Sequence, residues 1–288
     1  MRLKYLQKIK NLFRPFYYNL QNLIAKQKSK AIRNENKVNY FIVGAQKSGT
    51  TYLHDLMLKN LNFGAALRKE IHYFDWYYNN DENFYHNFWP KEVTNRLDSS
   101  PSYLFNYDVA KRIKLYNSMA NIIIVLRNPV SRFVSHYFHN KRLGIEKRDI
   151  NDVLESSLEV YNKAIDSVDF SEFLKTVKET DSYFLRGCYL FQLNIYFDLF
   201  EHVSLYTDKY VYNNERKIIQ DFKAQNLKST SKNFQIVPPS NVNKVKASVP
   251  SDILVKLNEL YLIPNECLID FLKTKKIDRK IIENVERW

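Results

Sequence analysis

The chain has 288 residues, of which 45% are hydrophobic and 15% aromatic, with only 5 glycines and 8 prolines. This composition excludes a collagen-like or largely disordered chain and provides ample material for a hydrophobic core. The length suits one large α/β domain or two small ones. Two cysteines, Cys188 and Cys267, cannot form a disulfide framework, so we expect reduced thiols in a cytosolic protein.

The positive charge is concentrated at the start of the chain. The formal net charge is +13, and residues 1–37 hold ten Lys or Arg residues against a single acid, which gives this segment +9. A protein that coats nucleic acid would spread its charge more evenly, so we predict no nucleic-acid partner. We therefore divide the chain into a basic N-terminal arm, residues 1–37, and a main domain, residues 38–288.

The arm has apolar residues at steps of three and four, which predicts an amphipathic helix that Pro15 kinks or restarts. The longest strongly apolar run of the chain, residues 122–126, is far shorter than the ~20 residues of a membrane span. Lysines and arginines also interrupt any signal-peptide pattern, which predicts a cytoplasmic protein. Two interpretations of the arm stay open: peripheral binding to the anionic inner face of the membrane, or packing on the domain.

Secondary structure is most clearly indicated where a strand, a glycine turn and a helix follow one another. Residues 38–43 predict a buried strand, residues 44–50 a turn and residues 51–59 a helix, which is the opening of a nucleotide-binding βαβ unit. The Ile/Val run at residues 121–126 predicts a second strand buried on both faces of a parallel sheet. Further along we predict a strand at 203–206, helices at 150–178, 187–200, 216–227, 251–262 and 265–273, and a long loop at 228–250.

The turn at residues 44–51, Gly-Ala-Gln-Lys-Ser-Gly-Thr-Thr, resembles a Walker A loop with its lysine displaced. The residue after Gly49 is Thr50 instead of lysine, and the lysine lies inside the loop as Lys47. Backbone N–H groups and the Thr50 and Thr51 hydroxyls can still hold a 5′-phosphate. The Lys-Ser/Thr pair that serves β,γ-phosphates and Mg²⁺ is absent, so the loop suits a nucleotide without a γ-phosphate. The bland alternative is an ordinary glycine turn before a helix.

With a second motif, this loop resembles the sulfotransferase family, which uses 3′-phosphoadenosine 5′-phosphosulfate (PAPS). The second motif is the strand that ends in Arg127 and is followed by Pro, Arg and Ser, over residues 122–137. The likeness is greatest to carbohydrate sulfotransferases of the heparan-sulfate type and their bacterial relatives. It implies a three-layer, P-loop-like α/β fold, with about five mainly parallel strands in a central sheet flanked by helices.

The resemblance implies the residues that bind PAPS. The phosphosulfate would contact the loop residues Lys47, Ser48, Gly49, Thr50 and Thr51. The 3′-phosphate would be held by Arg127 and Ser135. An arginine at the carboxyl end of a sheet strand can grip phosphate oxygens with both arms of its guanidinium group. Tyr189, in a Gly-x-Tyr pattern, is either a core residue or a further nucleotide contact. The family's late Lys-Gly-Arg loop is not recognisable, and Lys244 and Lys246 are weak substitutes.

A third motif, Lys-Glu-Ile-His-Tyr-Phe-Asp at residues 69–75, resembles a segment of the heparan-sulfate enzymes whose glutamate is the catalytic base. The resemblance assigns that role to Glu70, with His72 as the competing base and Lys69 as an orienting or substrate-binding residue. A sugar hydroxyl needs such a base because it is a poor nucleophile until its proton is removed.

A further segment, Asp-Ser-Ser-Pro-Ser-Tyr at residues 98–103, resembles the family segment that lines the acceptor cleft. It makes Ser100 and Ser102 candidate substrate contacts, although Asp98 and Ser99 depart from the usual Lys or Glu. Trp76 and Trp89 are candidates either for stacking on sugars or for the core.

The implied activity is in-line transfer of a sulfuryl group from PAPS to a hydroxyl or amine of a carbohydrate or glycolipid, leaving 3′-phosphoadenosine 5′-phosphate (PAP). Lys47 would neutralise charge on the leaving phosphate. No metal is expected, because the histidines and cysteines lack ligand spacing. The rival hypotheses are a phosphoryl-transferring P-loop kinase and a non-catalytic nucleotide-binding protein at the membrane.

Overall fold

The computed structural model describes residues 18–28, 35–225, 227–230, 233–238 and 249–288, without the side chains of residues 170 and 171. Most of the predicted arm, as well as Lys244 and Lys246, lies outside the described residues. Within them the sheet has four parallel strands, in the order β2-β1-β3-β4: β1 Tyr40–Gly44, β2 Leu97–Ser99, β3 Asn121–Leu126 and β4 Val203–Thr207. The predicted α/β class with a parallel sheet is confirmed, with one strand fewer than expected in this part of the chain.

Helices connect and cover these strands. In chain order they are α1 (residues 18–28), α2 Thr50–Asn60, α3 Glu82–His86, α4 Tyr107–Tyr116, α5 Pro129–Leu143, α6 Ile150–Ile165, α7 Phe170–Thr176, α8 Tyr189–Leu199, α9 Asp208–Asn213, α10 Glu215–Ala224, α11 Ser251–Lys273 and α12 Arg279–Glu286.

The three layers follow from the alternation of side chains along each strand. Ile42 and Ile123 point to one face of the sheet, where they join a buried cluster with α2, α10 and α12. Phe41 and Ile124 point to the other face and join a cluster with α4, α8 and α11. Because both faces are covered, the central strands are almost wholly apolar, as the sequence predicted.

The C-terminal region differs from the prediction of two short helices at 251–262 and 265–273. The structure has one helix, α11, with Pro264 inside it. Proline in a helix interior costs about 3 kcal/mol or more because it removes a hydrogen bond. The helix nevertheless continues, since a buried stripe on both sides of the proline holds it against the core; the stripe comprises Ile253, Leu257, Tyr261, Leu268 and Leu272. The opposite holds for the single helix predicted at 150–178, which is two helices in the structure, α6 and α7.

The described part of the arm is helical and packs on the main domain. The side chain of Gln21 donates a hydrogen bond to the carbonyl of Leu67 at 2.5 Å, and Ala25 is fully buried. On the opposite side, Leu20 and Leu23 are 44% and 56% exposed. The helix therefore has one face in contact with the domain and a second, partly apolar face in solvent.

Candidate functional site

The site lies at the carboxyl edge of the sheet, where all four strands end. The loop after β1 leads into α2, and the loop after β3 carries Arg127 at the start of α5. The order β2-β1-β3-β4 places the reversal of strand order between β1 and β3. Ligands of open α/β sheets bind at such a switch point, because the loops on either side diverge and leave a crevice.

The phosphate loop has the backbone of an anion-binding turn. Gly49, which precedes α2, has a φ of 85°, in the left-handed region that glycine adopts without steric cost. Lys47 has a φ of 70°. Arg127 donates a hydrogen bond from Nη1 to the carbonyl of Lys47 at 3.0 Å, and its Nε lies 3.6 Å from a carboxylate oxygen of Asp208. The Arg127 guanidinium is thus held against the loop by groups that follow β1 and β4.

Lys47 lies in a predominantly cationic environment. Its pKa is lowered to about 8, chiefly by burial and further by the charges of Arg142, Arg127 and Lys69, while the Glu70 carboxylate acts in the opposite direction. This concentration of positive charge favours a ligand with several negative charges, as a nucleotide bearing phosphates at two positions has. The residues present therefore fit the predicted nucleotide.

Other predicted nucleotide contacts are placed around the same loop. The buried Ser48 hydroxyl lies beside that of Tyr189, which donates a hydrogen bond to the carbonyl of Arg127 at 2.8 Å. Tyr189 therefore supports the backbone of Arg127 from the core. Thr50 is buried in the first turn of α2, whereas Thr51 and Ser135 are partly exposed. Direct contacts from these hydroxyls and from Tyr189 to a nucleotide stay predictions.

The segment with the candidate base has an unusual backbone. Glu70 and His72 have φ angles of 62° and 59°, a region that costs non-glycine residues roughly 1–3 kcal/mol each. Hydrogen bonds to the last residue of β2 and to the residue after it offset this cost. The Glu70 amide donates to the carbonyl of Ser99 at 3.2 Å, and the His72 amide donates to the Ser100 hydroxyl at 3.2 Å. The two candidate bases are thus held in place by the segment that was predicted to line the acceptor cleft.

The Glu70 carboxylate is the more accessible of the two candidates. It lies 2.7 Å from the ammonium group of Lys69, and its side chain is 30% exposed. It also lies near enough to Lys47 in the phosphate loop for its charge to raise the pKa of that lysine. A carboxylate that is paired but still open to solvent is suited to remove a proton from a hydroxyl group that approaches it.

His72 is more enclosed and is oriented by three neighbours. Its Nδ1 lies 3.1 Å from Asp75 and 3.2 Å from the Ser102 hydroxyl, which itself donates to Asp75 at 2.6 Å. Its ring stacks on Trp76 at a centroid distance of 3.7 Å. An Nδ1–H donated to Asp75 leaves Nε2 as the nitrogen able to accept a proton. The geometry is compatible with a structural role and with a role as base.

The remaining predicted acceptor residues separate into exposed and buried groups. Trp76 is 64% exposed and can meet a ligand, whereas Trp89 is 2% exposed and belongs to the core. Ser100 is fully buried, and its hydroxyl lies between Asp98 and the His72 amide. Any influence of Ser100 on an acceptor therefore passes through His72.

Sequence reasoning missed several residues of the site. His54, on α2, is buried near Lys69 and Glu70, and burial followed by the Lys69 charge lowers its pKa to about 3, so it is neutral at physiological pH. Arg142, at the end of α5, contributes to the positive potential at Lys47. Only Asp75 carried a sequence signal, as the last residue of the third motif. His54 and Arg142 are revealed only by the fold.

Comparison with known proteins agrees with this geometry. The family model described as "Sulfotransferase domain" matches residues 37–206, more than half of the chain. The chain therefore belongs to the sulfotransferase family, as the motifs predicted.

Curated proteins that align with part of this chain are named as sulfotransferases too. The membrane-associated sulfotransferase kil1 of Dictyostelium discoideum is 31% identical over 126 residues, which are 42% of this chain and 26% of that protein. Heparan sulfate glucosamine 3-O-sulfotransferase 5 of Mus musculus is 33% identical over 109 residues, 33% of this chain and 29% of that enzyme. The chain thus spans less than a third of the length of these curated relatives.

A solved structure extends the likeness of the fold over more of the chain. The crystal structure of a sulfotransferase from Alicyclobacillus acidocaldarius superposes on this chain with a TM-score of 0.63 at 22% sequence identity. The superposition covers 82% of this chain and 96% of the Alicyclobacillus chain. The fold of this family is therefore shared well beyond the segments that align in sequence.

Proposed function

We propose that this sulfotransferase transfers the sulfuryl group of PAPS to a hydroxyl or amine of a carbohydrate or glycolipid acceptor, releasing PAP. The acceptor oxygen or nitrogen forms a bond to sulfur while the bond from sulfur to the 5′-phosphate oxygen breaks, and the acceptor proton passes to a base. The observation that carries the proposal is that Arg127 is held against the phosphate loop, 3.0 Å from the carbonyl of Lys47, while the partly exposed Glu70 carboxylate lies near enough to raise the pKa of Lys47.

On the donor side, the loop residues Lys47 to Thr51 bind the 5′-phosphosulfate. Arg127 and Ser135 bind the 3′-phosphate. This division is supported by the position of Arg127, whose guanidinium contacts the loop but remains 33% exposed at the side chain. An exposed part of the guanidinium is free of the loop and able to bind phosphate oxygens. Lys47 stabilises negative charge on the leaving phosphate.

On the acceptor side, Glu70 removes the proton and Lys69 orients the carboxylate. His72, Ser102 and Trp76 form the adjoining surface, with Ser100 behind them. The carbohydrate class rests on the relative named above as a heparan sulfate glucosamine 3-O-sulfotransferase, and on the exposed indole of Trp76, which stacks on His72. An aromatic face of this kind offers apolar contact area to a sugar ring.

The kinase alternative is disfavoured by the loop. Thr50, the position after Gly49, begins α2 where a kinase loop has its lysine. Lys47, which replaces that lysine, lies among other cations instead of beside a pair of carboxylates suited to Mg²⁺. A non-catalytic nucleotide-binding role would leave the strained backbone at Glu70 and His72 without a purpose.

The direct test is transfer of ³⁵S from labelled PAPS to a mixture of glycans, with a comparison of the two candidate bases. Glu70→Gln keeps the side-chain shape but removes the proton acceptor, so we expect kcat to fall by ~10²–10⁴-fold with little change in PAP affinity. His72→Asn serves as the matched variant and should be much milder. Inactive His72→Asn beside active Glu70→Gln would reassign the base to His72.

A second test concerns the donor alone. We expect PAP to bind at least about tenfold more tightly than AMP, because the 3′-phosphate adds charge-assisted hydrogen bonds worth ~1.5–3 kcal/mol each. Isothermal titration calorimetry with and without EDTA measures this preference. Equal affinities for the two nucleotides, or a strict requirement for Mg²⁺, would contradict the assignment of PAPS as donor.

We propose further that the arm binds the enzyme peripherally to the anionic inner face of the cell membrane, on the cytoplasmic side. In the described residues, no helix combines the length and apolarity needed to cross a bilayer. The proposal is supported by the +9 charge of residues 1–37 and by the exposed Leu20 and Leu23 of α1. Flotation with anionic and with neutral liposomes tests it, and lipid binding that survives deletion of residues 1–17 and Leu20→Ser/Leu23→Ser would refute it.

A further inference from the structure

The candidate catalytic segment, residues 69–75, runs beside residues 99–103. Residues 99–103 accept hydrogen bonds from the backbone amides of every second residue of the segment. The amide of Glu70 donates to the Ser99 carbonyl at 3.2 Å. The amide of His72 donates to the Ser100 hydroxyl at 3.2 Å, and the amide of Phe74 donates to the Tyr103 hydroxyl at 3.3 Å. Two of these three acceptors are side-chain hydroxyl groups.

The hydroxyls of Ser100 and Tyr103 both donate hydrogen bonds to one carboxylate, that of Asp98 in β2. Asp98 is 1% exposed. One of its oxygens accepts from the Ser100 hydroxyl at 2.8 Å, and the other accepts from the Tyr103 hydroxyl at 3.0 Å and from the Tyr85 hydroxyl at 2.8 Å. Three hydroxyl donors therefore converge on a single buried acceptor group.

The direction of these hydrogen bonds follows from proton counting. A hydroxyl has only one proton, and a backbone amide can only donate. Because Ser100 and Tyr103 each donate their proton to Asp98, each presents a lone pair to the amide of His72 or Phe74. The carboxylate thus determines the orientation of two hydroxyls that must act as acceptors.

We propose that Asp98 is a positioning residue, which holds the catalytic segment through Ser100 and Tyr103 and so places Glu70 and His72 for the reaction; this inference rests on the proposed function. The segment needs such support because its φ angles at Glu70 and His72 are unfavourable for side chains other than glycine. Asp98 itself contacts no position where a substrate could bind, since it is buried behind the segment.

The sharpest perturbation is Asp98→Asn, which preserves size and shape. The introduced amide group has two N–H donors where the carboxylate had only acceptors, and it must place them against at least one of the three hydroxyls. A hydroxyl that accepts from the introduced amide nitrogen loses Asp98 as the acceptor for its own proton and must reorient. This reorientation weakens its hydrogen bond to the amide of His72 or of Phe74.

The prediction is a loss of turnover without loss of the nucleotide site. In the ³⁵S-transfer assay, we expect Asp98→Asn and Ser100→Ala to lower kcat by roughly 10–100-fold, as small misplacements of reacting groups do. The KM for PAPS should change less than about twofold, because the loop after β1 is untouched. Rates are normalised to the fraction of protein that binds PAP in calorimetry, which corrects for misfolded material.

Tyr85→Phe is the matched control. It removes a hydroxyl that donates to the same Asp98 oxygen as Tyr103 does, but the Tyr85 hydroxyl supports no amide of the segment. We expect Tyr85→Phe to lower the melting temperature while kcat stays within about threefold of wild type. If Asp98→Asn fails to fold, the comparison of Ser100→Ala with Tyr85→Phe still decides the question.

A second readout needs no substrate. Amide-resolved hydrogen exchange should show faster exchange at His72, at Phe74 or at both in Asp98→Asn, and at His72 alone in Ser100→Ala, with unchanged protection in β3. Wild-type kcat and protection in Asp98→Asn, or equal losses of kcat in Tyr85→Phe and Ser100→Ala, would overturn the inference. If the wild-type protein transferred no sulfuryl group, the proposed function would fail, and the exchange data would decide whether Asp98 holds the segment.

Discussion

The depressed pKa of Lys47 predicts that the proposed nucleotide binding depends on pH. In the free protein this pKa is about 8, against an ordinary value of 10.5, chiefly because of burial. A bound anion beside the ammonium group favours the charged form, and we expect the pKa in the complex to return to at least the ordinary value. Above pH 8, binding must therefore be accompanied by proton uptake.

The magnitude follows from linkage. At pH 7 about nine-tenths of the free protein carries a charged Lys47, and at pH 9 about one-tenth does. If only the charged form binds well, the affinity for PAP falls about tenfold from pH 7 to pH 9. The phosphates of PAP contribute little to this change, since their second pKa values lie near 6.

Titration calorimetry at the two pH values, in buffers of different ionisation enthalpy, measures both the affinity and the protons taken up. Lys47→Arg is the matched control, because a guanidinium stays charged throughout this range. Its affinity should be nearly independent of pH. The reasoning would be refuted by a wild-type affinity that does not change between pH 7 and pH 9, or by an equal loss in Lys47→Arg.

Two further substitutions test individual contacts. Arg127→Lys replaces a guanidinium that donates to the Lys47 carbonyl and lies near Asp208. We expect calorimetry to show about a tenfold loss of affinity for PAP and a smaller loss for AMP. Equal losses for the two nucleotides would contradict the assignment of Arg127 to the 3′-phosphate. Gly44→Ala would place a methyl carbon 2.5 Å from the Cβ of Leu104. We expect this clash to destabilise the fold by about 1–3 kcal/mol, measured in thermal melts followed by circular dichroism. An unchanged melting temperature would show that the segment around Leu104 moves aside at little cost.

The strands that could be predicted from sequence are those whose stability is encoded locally. The apolar run of β3 was predicted with the bounds that the structure shows, and β1 and β4 were predicted to within a residue or two. The edge strand β2 could not be predicted, because it has only three residues, Leu97–Ser99, and contains a buried aspartate. That aspartate is tolerated because tyrosine hydroxyls from two other segments satisfy it, and no local pattern records those partners.

The same distinction applies to the candidate site. The loop containing Lys47 and the strand end at Arg127 have motifs, since each depends on a turn of fixed length next to a strand. The contributions of His54 and Asp98 depend on side chains that the fold brings from elsewhere. Helix α12 was missed for a related reason: it is eight residues long, and only Ile281 and Val285 are buried.

The position of β2 at the edge of the sheet separates the support of the proposed acceptor side from that of the proposed donor side. The proposed nucleotide loops follow β1 and β3, which have a strand on either side. The support for Glu70 and His72 comes from β2 and the residues after it, and in the described part of the chain β2 pairs with β1 alone. A change in the long connection between α2 and β2 can therefore reshape the acceptor side while the donor side keeps its scaffold. An engineer seeking new acceptors would begin there, at residues 61–68 and 76–96, which flank the candidate catalytic segment, and leave the central strands alone.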